Sequence, residues 1–199
     1  MTAAPDRGAV CGLILAAGEG TRFGAEPKLL AELDGRPLAE HAIRAQCAAG
    51  ALERVVVVLG AHAEELLERV DFDRAEPVVC QEWSQGQAAS LRCGVEELRD
   101  AAKVIVTLGD EPLITPQVVA RFASEPPGTQ AVYDGRPGHP VVLGPDHLRA
   151  VLSLTGDRGA RELLAGANKI ELGGLGDIGR DVDTTEDLER MRNEARAIV

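Results

Sequence analysis

Apolar and polar positions fall along this chain in blocks that predict strands and helices in turn. Val10 to Ala16 is a nearly unbroken apolar run, as are Val55 to Leu59 and Val104 to Leu108. Runs without polar interruption suit strands covered on both faces. Pro77 to Cys80 is a shorter run of the same kind. Between them the spacing becomes helical: Leu38, Ala42, Ile43 and Ala45 mark a helix that ends at Gly50, a suitable C-cap. Further helices are predicted at about 61–70 and 87–98, and a fourth starts at Thr115-Pro116, with an N-cap hydroxyl and a proline in the first turn. Strands and helices alternating through short connections predict a mostly parallel, doubly wound α/β sheet. The remainder is less regular. Lys28 to Leu33 is short and apolar, and Asp34-Gly35-Arg36-Pro37 reads as a turn. Gln130 to Tyr133 and Pro140 to Leu143 read as strands around a Gly-Arg-Pro-Gly-His turn. Short helices are expected at 146–152 and 159–164, a strand at 169–172, an extended piece at 180–183 and a closing helix at 185–196. With no internal repeat or linker, residues 1–199 read as one domain.

Composition narrows the function. Aromatic residues are only 3%, so the core must be Val, Leu, Ile and Ala. A formal charge of −11 argues against wrapping duplex nucleic acid, which needs a basic face. A small polyanionic ligand would need local cations or a metal against that background. Cys11, Cys47, Cys80 and Cys93 form no CxxC pair; the first three sit in apolar stretches and read as buried free thiols. Met1 to Arg7 has no apolar core of a signal peptide, and no run approaches the roughly 20 apolar residues of a membrane span. A cytoplasmic, reduced protein without membrane contact is the expectation.

Candidate chemistry begins where the first strand ends. Leu15-Ala16-Ala17-Gly18-Glu19-Gly20-Thr21-Arg22-Phe23-Gly24 is a small-residue loop with Arg22 inside it and Lys28 beyond it. Small residues let backbone N–H groups approach an anion, and two cations add charge on either side. The glycine spacing is neither GxGxxG nor a P-loop, so a dinucleotide-dependent dehydrogenase is disfavoured; alone, such a loop serves equally as a tight turn. Gly109-Asp110 follows an apolar strand, which puts Asp110 at the carboxyl edge of the sheet, where open α/β folds bind ligands. Its carboxylate suits a divalent cation. Asp181-Val182-Asp183 adds two more, expected on opposite faces of an extended segment, one inward beside Asp110 and the other toward solvent.

These motifs together resemble the nucleotidyltransferases of the GT-A-like, nucleotide-diphospho-sugar transferase fold, a Rossmann-like three-layer α/β/α sandwich. The quoted loop, Gly109-Asp110-x-Pro112 and Asp181-Val182-Asp183-Thr184-x-Glu186-Asp187-Leu188 carry the likeness. Trp83-x-x-Gly86-x-x-x-Ser90-Leu91, Gly138-His139-Pro140 and Gly156-Asp157-x-Gly159-Ala160-Arg161 are similar to the molybdenum cofactor cytidylyltransferases among the MobA-like NTP transferases. The resemblance implies attack by a terminal phosphate of molybdopterin on the α-phosphorus of CTP, or of GTP, with release of pyrophosphate. It implies a nucleotide-binding half at about 10–112 and an acceptor-binding half at about 113–199. Leu15, Ala16, Ala17, Gly18, Gly20, Gly86 and Ser90 would hold the nucleotide, with Arg22 and Lys28 on its phosphates. Asp110 and Asp183 would bind Mg²⁺, and Arg22, Lys28 and Asp110 would carry catalysis. Trp83, His139, Arg158 and Arg161 would meet the acceptor, and a molybdoenzyme or its maturation chaperone would be the protein partner.

Three positions depart from the family's pattern: Phe23 replaces a frequent methionine, a second glycine after Gly24 is missing, and Glu111 stands where glutamine is frequent. An acid beside a triphosphate has no explanation at this level. Ala17, where guanylyl-transferring members tend to carry glycine, favours CTP by narrowing the base site. The alternatives are the same chemistry on a phosphosugar or phospholactate, and a non-catalytic carrier of the cofactor; the latter is disfavoured because Lys28, Asp110 and Asp183 are all present.

Overall fold

A computed structural model describes residues 8–24, 26–164, 166, 168–172 and 181–197. The strands are β1 (Val10–Ala16), β2 (Glu32–Leu33), β3 (Arg36–Pro37), β4 (Arg54–Leu59), β5 (Glu76–Val79), β6 (Lys103–Leu108), β7 (Thr129–Tyr133), β8 (Arg136–Leu143) and β9 (Asn168–Glu171). The α-helices are α1 (Leu38–Ala48), α2 (Ala63–Arg69), α3 (Gln87–Glu97), α4 (Pro116–Ser124), α5 (Pro145–Val151) and α6 (Thr185–Ala197).

Among the described residues, seven strands form one sheet in the order β5-β4-β1-β6-β8-β7-β9, while β2 and β3 pair as a separate hairpin. The pairs β1–β4, β1–β6, β4–β5 and β7–β9 are parallel; β8 runs antiparallel to both β6 and β7. The continuous apolar runs are explained by this order, since all six residues of β4 are buried between two helical layers. Ile14, Val55, Val57 and Ile105 face one layer, which holds α1, α2 and α4; Leu13, Val56, Val58 and Val104 face the other, which holds α3 and α5. A third, smaller core of Phe23, Ala31, Leu33, Leu38, Val182, Leu188 and Met191 joins α6 to the β2–β3 hairpin. Helix α4 is capped as its sequence predicts, with Thr115 Oγ1 accepting from the Val118 N–H at 3.3 Å.

Two turns are shorter than the composition suggests. Asp34-Gly35 (φ 49° and 76°) and Asp134-Gly135 (φ 50° and 76°) are two-residue reversals with both residues left-handed. That is the geometry hairpins prefer, because it matches strand twist. Arg36 and Pro37 therefore belong to β3, and Arg136 to His139 belong to β8 rather than to a turn. The segment expected as a helix at 159–164 is a 3-10 turn, Ala160–Leu163. Arg180, the first residue of the extended piece expected at 180–183, lies outside the described residues. Cys11, Cys47 and Cys80 are buried free thiols, as expected. Among the described residues, no helix is long and apolar enough to cross a membrane.

Candidate active site

The parallel strands β4, β1 and β6 deliver their carboxyl ends to one edge, and the loop after β1 fits there because its neighbours are glycines. A Cβ on Gly60, just past β4, would stand 2.4 Å from the Ala17 carbonyl oxygen, and one on Gly109, just past β6, would stand 3.1 Å from the Ala16 Cβ. The loop reverses at Gly20 (φ 63°), whose carbonyl accepts the Phe23 N–H at 2.9 Å. Phe23 then plugs into the third core, so an apolar side chain is all that position needs. Lys28 starts a 3-10 turn whose backbone brings its Cβ against Gly20.

Cations and carboxylates meet at this edge. The Lys28 ammonium donates to Asp110 Oδ2 and, at 3.4 Å, to Asp183 Oδ1. Arg22 Nη1 donates to Asp183 Oδ2 at 3.0 Å. Residues 161 positions apart in sequence are joined because the Val182 N–H donates to the Asp110 carbonyl at 3.0 Å while the Val182 side chain is fully buried. Behind it, Thr184 and Asp187 cap α6 reciprocally: Asp187 Oδ2 accepts from the Thr184 N–H and hydroxyl, and Thr184 Oγ1 accepts from the Asp187 N–H.

The expectation that Asp181 and Asp183 lie on opposite faces is overturned. Positions i and i+2 of an extended segment share a face, and with Val182 turned into the core Asp183 reaches the Lys28 ammonium beside Asp110 while the Asp181 carboxyl lies toward Glu111. Although Asp181 as a residue is exposed, desolvation of its carboxyl pushes its pKa up to about 7, with Glu111 and Asp110 adding to the rise. Burial also raises Asp110, against the lowering effect of Lys28. A carboxyl raised on folding stabilises the fold below its ordinary pKa, and that stabilisation is lost as pH rises toward the folded value. The protein without ligand is therefore expected to melt lower at pH 8 than at pH 5, with Asp181→Asn flattening the fall; differential scanning calorimetry at the two pH values checks this, and an unchanged slope in the variant would exclude the assignment.

Glu111 has a different environment from the one its position beside Asp110 suggests. It is 1% exposed and turns away from the cavity: Oε2 accepts the Leu108 N–H at 3.2 Å, and Oε1 lies 3.1 Å from His139 Nδ1. The Tyr133 hydroxyl donates to the His139 carbonyl. His139 is itself buried, so its ring meets Glu111 rather than open space, and an expected direct contact of that ring with an acceptor is not what the geometry offers.

Leu15, Ala17, Gly18, Trp83, Gly86, Ser90 and Asp110 line one cavity of about 420 Å³, with Glu19 and Asp157 also on its wall. Trp83 thus shares a cavity with the residues expected to hold the nucleotide rather than with Arg158 and Arg161. A smaller recess of about 60 Å³ adjoins it, lined by Ala16, Gly20 and Lys28 and sharing Leu15, Gly18 and Asp110. Helix α3 starts at the cavity wall; Gly86 (φ 104°) packs on the backbone of Gly156, and the Ala88 N–H donates to the Gly156 carbonyl at 3.0 Å. Arg158 pairs with Glu162 and Arg161 donates to the Pro137 carbonyl; both are exposed and neither lines the cavity. Sequence reasoning gives Asp157 and the Glu111–His139 pairing no role in the site; of these, Asp157 has a signal, as part of the Gly156-Asp157-x-Gly159 motif.

The donor set fits a divalent cation that shares its coordination with phosphate. Mg²⁺ is commonly held by one or two carboxylates plus substrate phosphates and water. Asp110 and Asp183 already hold one cation, the Lys28 ammonium, between them. No group of three or more His, Cys, Asp or Glu suited to a metal occurs among the described residues, so the site is not a closed protein cage.

Comparison with known proteins agrees with this architecture. The MobA-like NTP transferase domain matches residues 12–172. The chain is 35% identical over 198 residues to nicotine blue oxidoreductase of Paenarthrobacter nicotinovorans, covering 92% of this chain and 96% of that one. It is 40% identical over 139 residues to the bifunctional protein GlmU of Rhodospirillum rubrum, covering 66% of this chain but only 30% of that protein. Among solved structures, Rv0371c from Mycobacterium tuberculosis superposes with a TM-score of 0.82 at 25% identity, covering 94% of this chain and 99% of that one. A nucleotidyl transferase from Methanothermobacter shares the fold at 23% identity, with a TM-score of 0.81 over 96% of this chain and 99% of that one.

Proposed function

The chain belongs to the MobA-like NTP transferase family, and from that premise we propose that it transfers CMP from CTP to the terminal phosphate of molybdopterin, with Mg²⁺ and release of pyrophosphate. The observation that carries the chemistry is the Lys28 ammonium seated between Asp110 and Asp183 beside the 420 Å³ cavity. In the reaction an oxygen of the acceptor phosphate bonds to the α-phosphorus while the bond from that phosphorus to the α–β bridging oxygen breaks, and pyrophosphate leaves with the electron pair. Asp110 and Asp183 would hold Mg²⁺, which supplies neutralisation of phosphate charge. Leu15, Ala17, Gly18, Gly86 and Ser90 shape the nucleoside cavity, of a size usual for small-molecule sites. Lys28, with Ala16 and Gly20, forms the adjoining recess for phosphates, and the exposed Arg22 bonds Asp183, which Lys28 also bonds. Positioning and charge are what such transfers ask of a protein, so buried, high-pKa thiols such as Cys11 are no obstacle.

The choice of CTP rests on Ala17, whose methyl packs so closely over Gly60 that a Cβ there would come within 2.8 Å of it. The acceptor rests on the ordered Gly138-His139-Pro140 and Gly156-to-Arg161 motifs, with Arg158 and Arg161 exposed for an anionic group. A second reading, a redox reaction at the same cavity, is favoured by the full-length similarity to an oxidoreductase. One experiment separates them: CTP, GTP, ATP and UTP are each incubated with molybdopterin and Mg²⁺, with pyrophosphate as readout, beside NADH and NADPH consumption. CTP is expected to give pyrophosphate several-fold faster than GTP. Absence of pyrophosphate with every nucleotide overturns the transferase proposal, and nucleotide-independent consumption of reduced nicotinamide would replace it.

A further inference from the structure

At the sheet edge, each cation assigned to the phosphates is held by a carboxylate assigned to the metal. Lys28 Nζ bonds Asp110 Oδ2 and Asp183 Oδ1, and Arg22 Nη1 bonds Asp183 Oδ2. Both Asp183 oxygens are thereby committed to cations, and the Lys28 side chain is only 12% exposed. We infer that Lys28 is an internal counter-ion for Asp110 and Asp183, so that the protein takes up the divalent cation and the triphosphate as one unit, the metal–nucleotide complex, and neither alone with comparable affinity. This rests on the proposed nucleotidyl transfer only for the identity of the nucleotide.

The argument is one of charge balance. A divalent cation that joins Asp110 and Asp183 without phosphate must approach the Lys28 ammonium, whose side chain is only 12% exposed and bonds both carboxylates. A triphosphate that draws Lys28 and Arg22 away without a metal leaves Asp110 and Asp183 uncompensated. Binding both together exchanges partners: carboxylates pass from ammonium to metal, and the ammonium passes from carboxylate to phosphate. Every charge keeps an opposite neighbour at hydrogen-bond range, where the interaction is strongest. The two ligands therefore raise each other's affinity, and by linkage they do so by the same factor.

The distinguishing consequence is one of sign. A residue that merely holds phosphate has no effect on metal alone when it is removed. A residue that stands in for the metal, when removed, makes metal alone bind better while nucleotide binds worse. The test measures free Mn²⁺ by electron paramagnetic resonance during titration of the whole protein, with and without the non-hydrolysable analogue α,β-methylene-CTP. Wild type, Lys28→Met and Lys28→Gln are compared, with circular dichroism to establish folding. For wild type, Mn²⁺ is expected to bind about tenfold or more tighter with the analogue than without it. In both Lys28 variants, Mn²⁺ alone is expected to bind about tenfold tighter than to wild type, and the enhancement by the analogue is expected to shrink toward unity. Arg22→Met should move both quantities the same way but less, since that side chain is 76% exposed. Unchanged or weaker Mn²⁺ affinity in both folded Lys28 variants overturns the inference, as does equal affinity of wild type with and without analogue. No turnover is needed, so a failed pyrophosphate assay with coupled Mn²⁺ binding rejects the reaction and leaves the inference standing.

Discussion

Asp110→Asn is expected to lower kcat/KM for pyrophosphate release by about a thousandfold or more, the scale of loss when a preorganised charge at a transfer site is removed. The amide keeps the shape of the carboxylate and loses the charge that would hold Mg²⁺. It also replaces the charged acceptor that positions Lys28 with a neutral amide oxygen, and Asp183 Oδ1, at 3.4 Å, is the weaker of the two contacts. The backbone has independent support, because the Asp110 carbonyl accepts from Val182 and the neighbouring Glu111 carboxylate holds the Leu108 N–H. The fold therefore survives. Burial outweighs the help from Lys28 and leaves the Asp110 pKa raised, so the charged form opposes folding. At pH 8 the variant is expected to melt at or above the wild-type temperature, which a thermal scan reads directly. Gain of stability with loss of turnover is the mark of a residue kept for chemistry. Turnover within tenfold of wild type would remove Asp110 from the metal site.

The parts of this site that are legible in sequence share one property: they are fixed by where a strand ends. Val10–Ala16 and Lys103–Leu108 are apolar enough to be central strands, and the residues just past the carboxyl end of such a strand in an α/β sheet sit at the ligand edge. That places Ala17, Gly18 and Asp110 from the sequence alone. The hidden parts depend on contacts across the sheet. Glu111 and His139 are 28 residues apart and meet because β8 turns antiparallel beside β6, a pairing no periodicity announces. Its consequence is that the acid expected to repel a triphosphate is instead a buried brace between the Asp110 turn and β8. The hairpin turns and the Asp181–Asp183 pair are different cases, because Asp-Gly and the period of two are visible in the sequence itself. Trp83 illustrates a third situation. Its loop is expected beside the site, but which wall it forms depends on the contact of Gly86 with Gly156, between segments about seventy residues apart.

That contact is expected to make Gly86→Ala a severe change, costing about 2–4 kcal/mol of stability and weakening nucleotide binding together. Two penalties act. Gly86 has φ 104°, a conformation side chains rarely adopt and which stores about 1–3 kcal/mol. Its Cβ would stand 2.5 Å from the carbonyl carbon of Gly156 and 2.7 Å from Asp157 Oδ1, and overpacking adds about 1–3 kcal/mol. The obstacle is backbone, so no rotamer change relieves it; the chain at Gly156 must retreat. That retreat breaks the bond from the Ala88 N–H to the Gly156 carbonyl and shifts Asp157, which lines the cavity, opening one of its walls. Gly50→Ala separates the two penalties. Gly50 has φ 67° with nothing within 4 Å of a new Cβ, so it should cost only about 1–2 kcal/mol and leave nucleotide affinity alone. Urea titrations of both variants read stability, and KM for CTP against kcat reads the cavity. For Gly86→Ala the KM rises while kcat falls less, because Lys28, Asp110 and Asp183 are held by contacts the substitution does not touch. Equal stability and equal KM in the two variants would mean that strain alone matters at Gly86, and that the wall formed by Gly156 and Asp157 plays no part in holding the nucleotide.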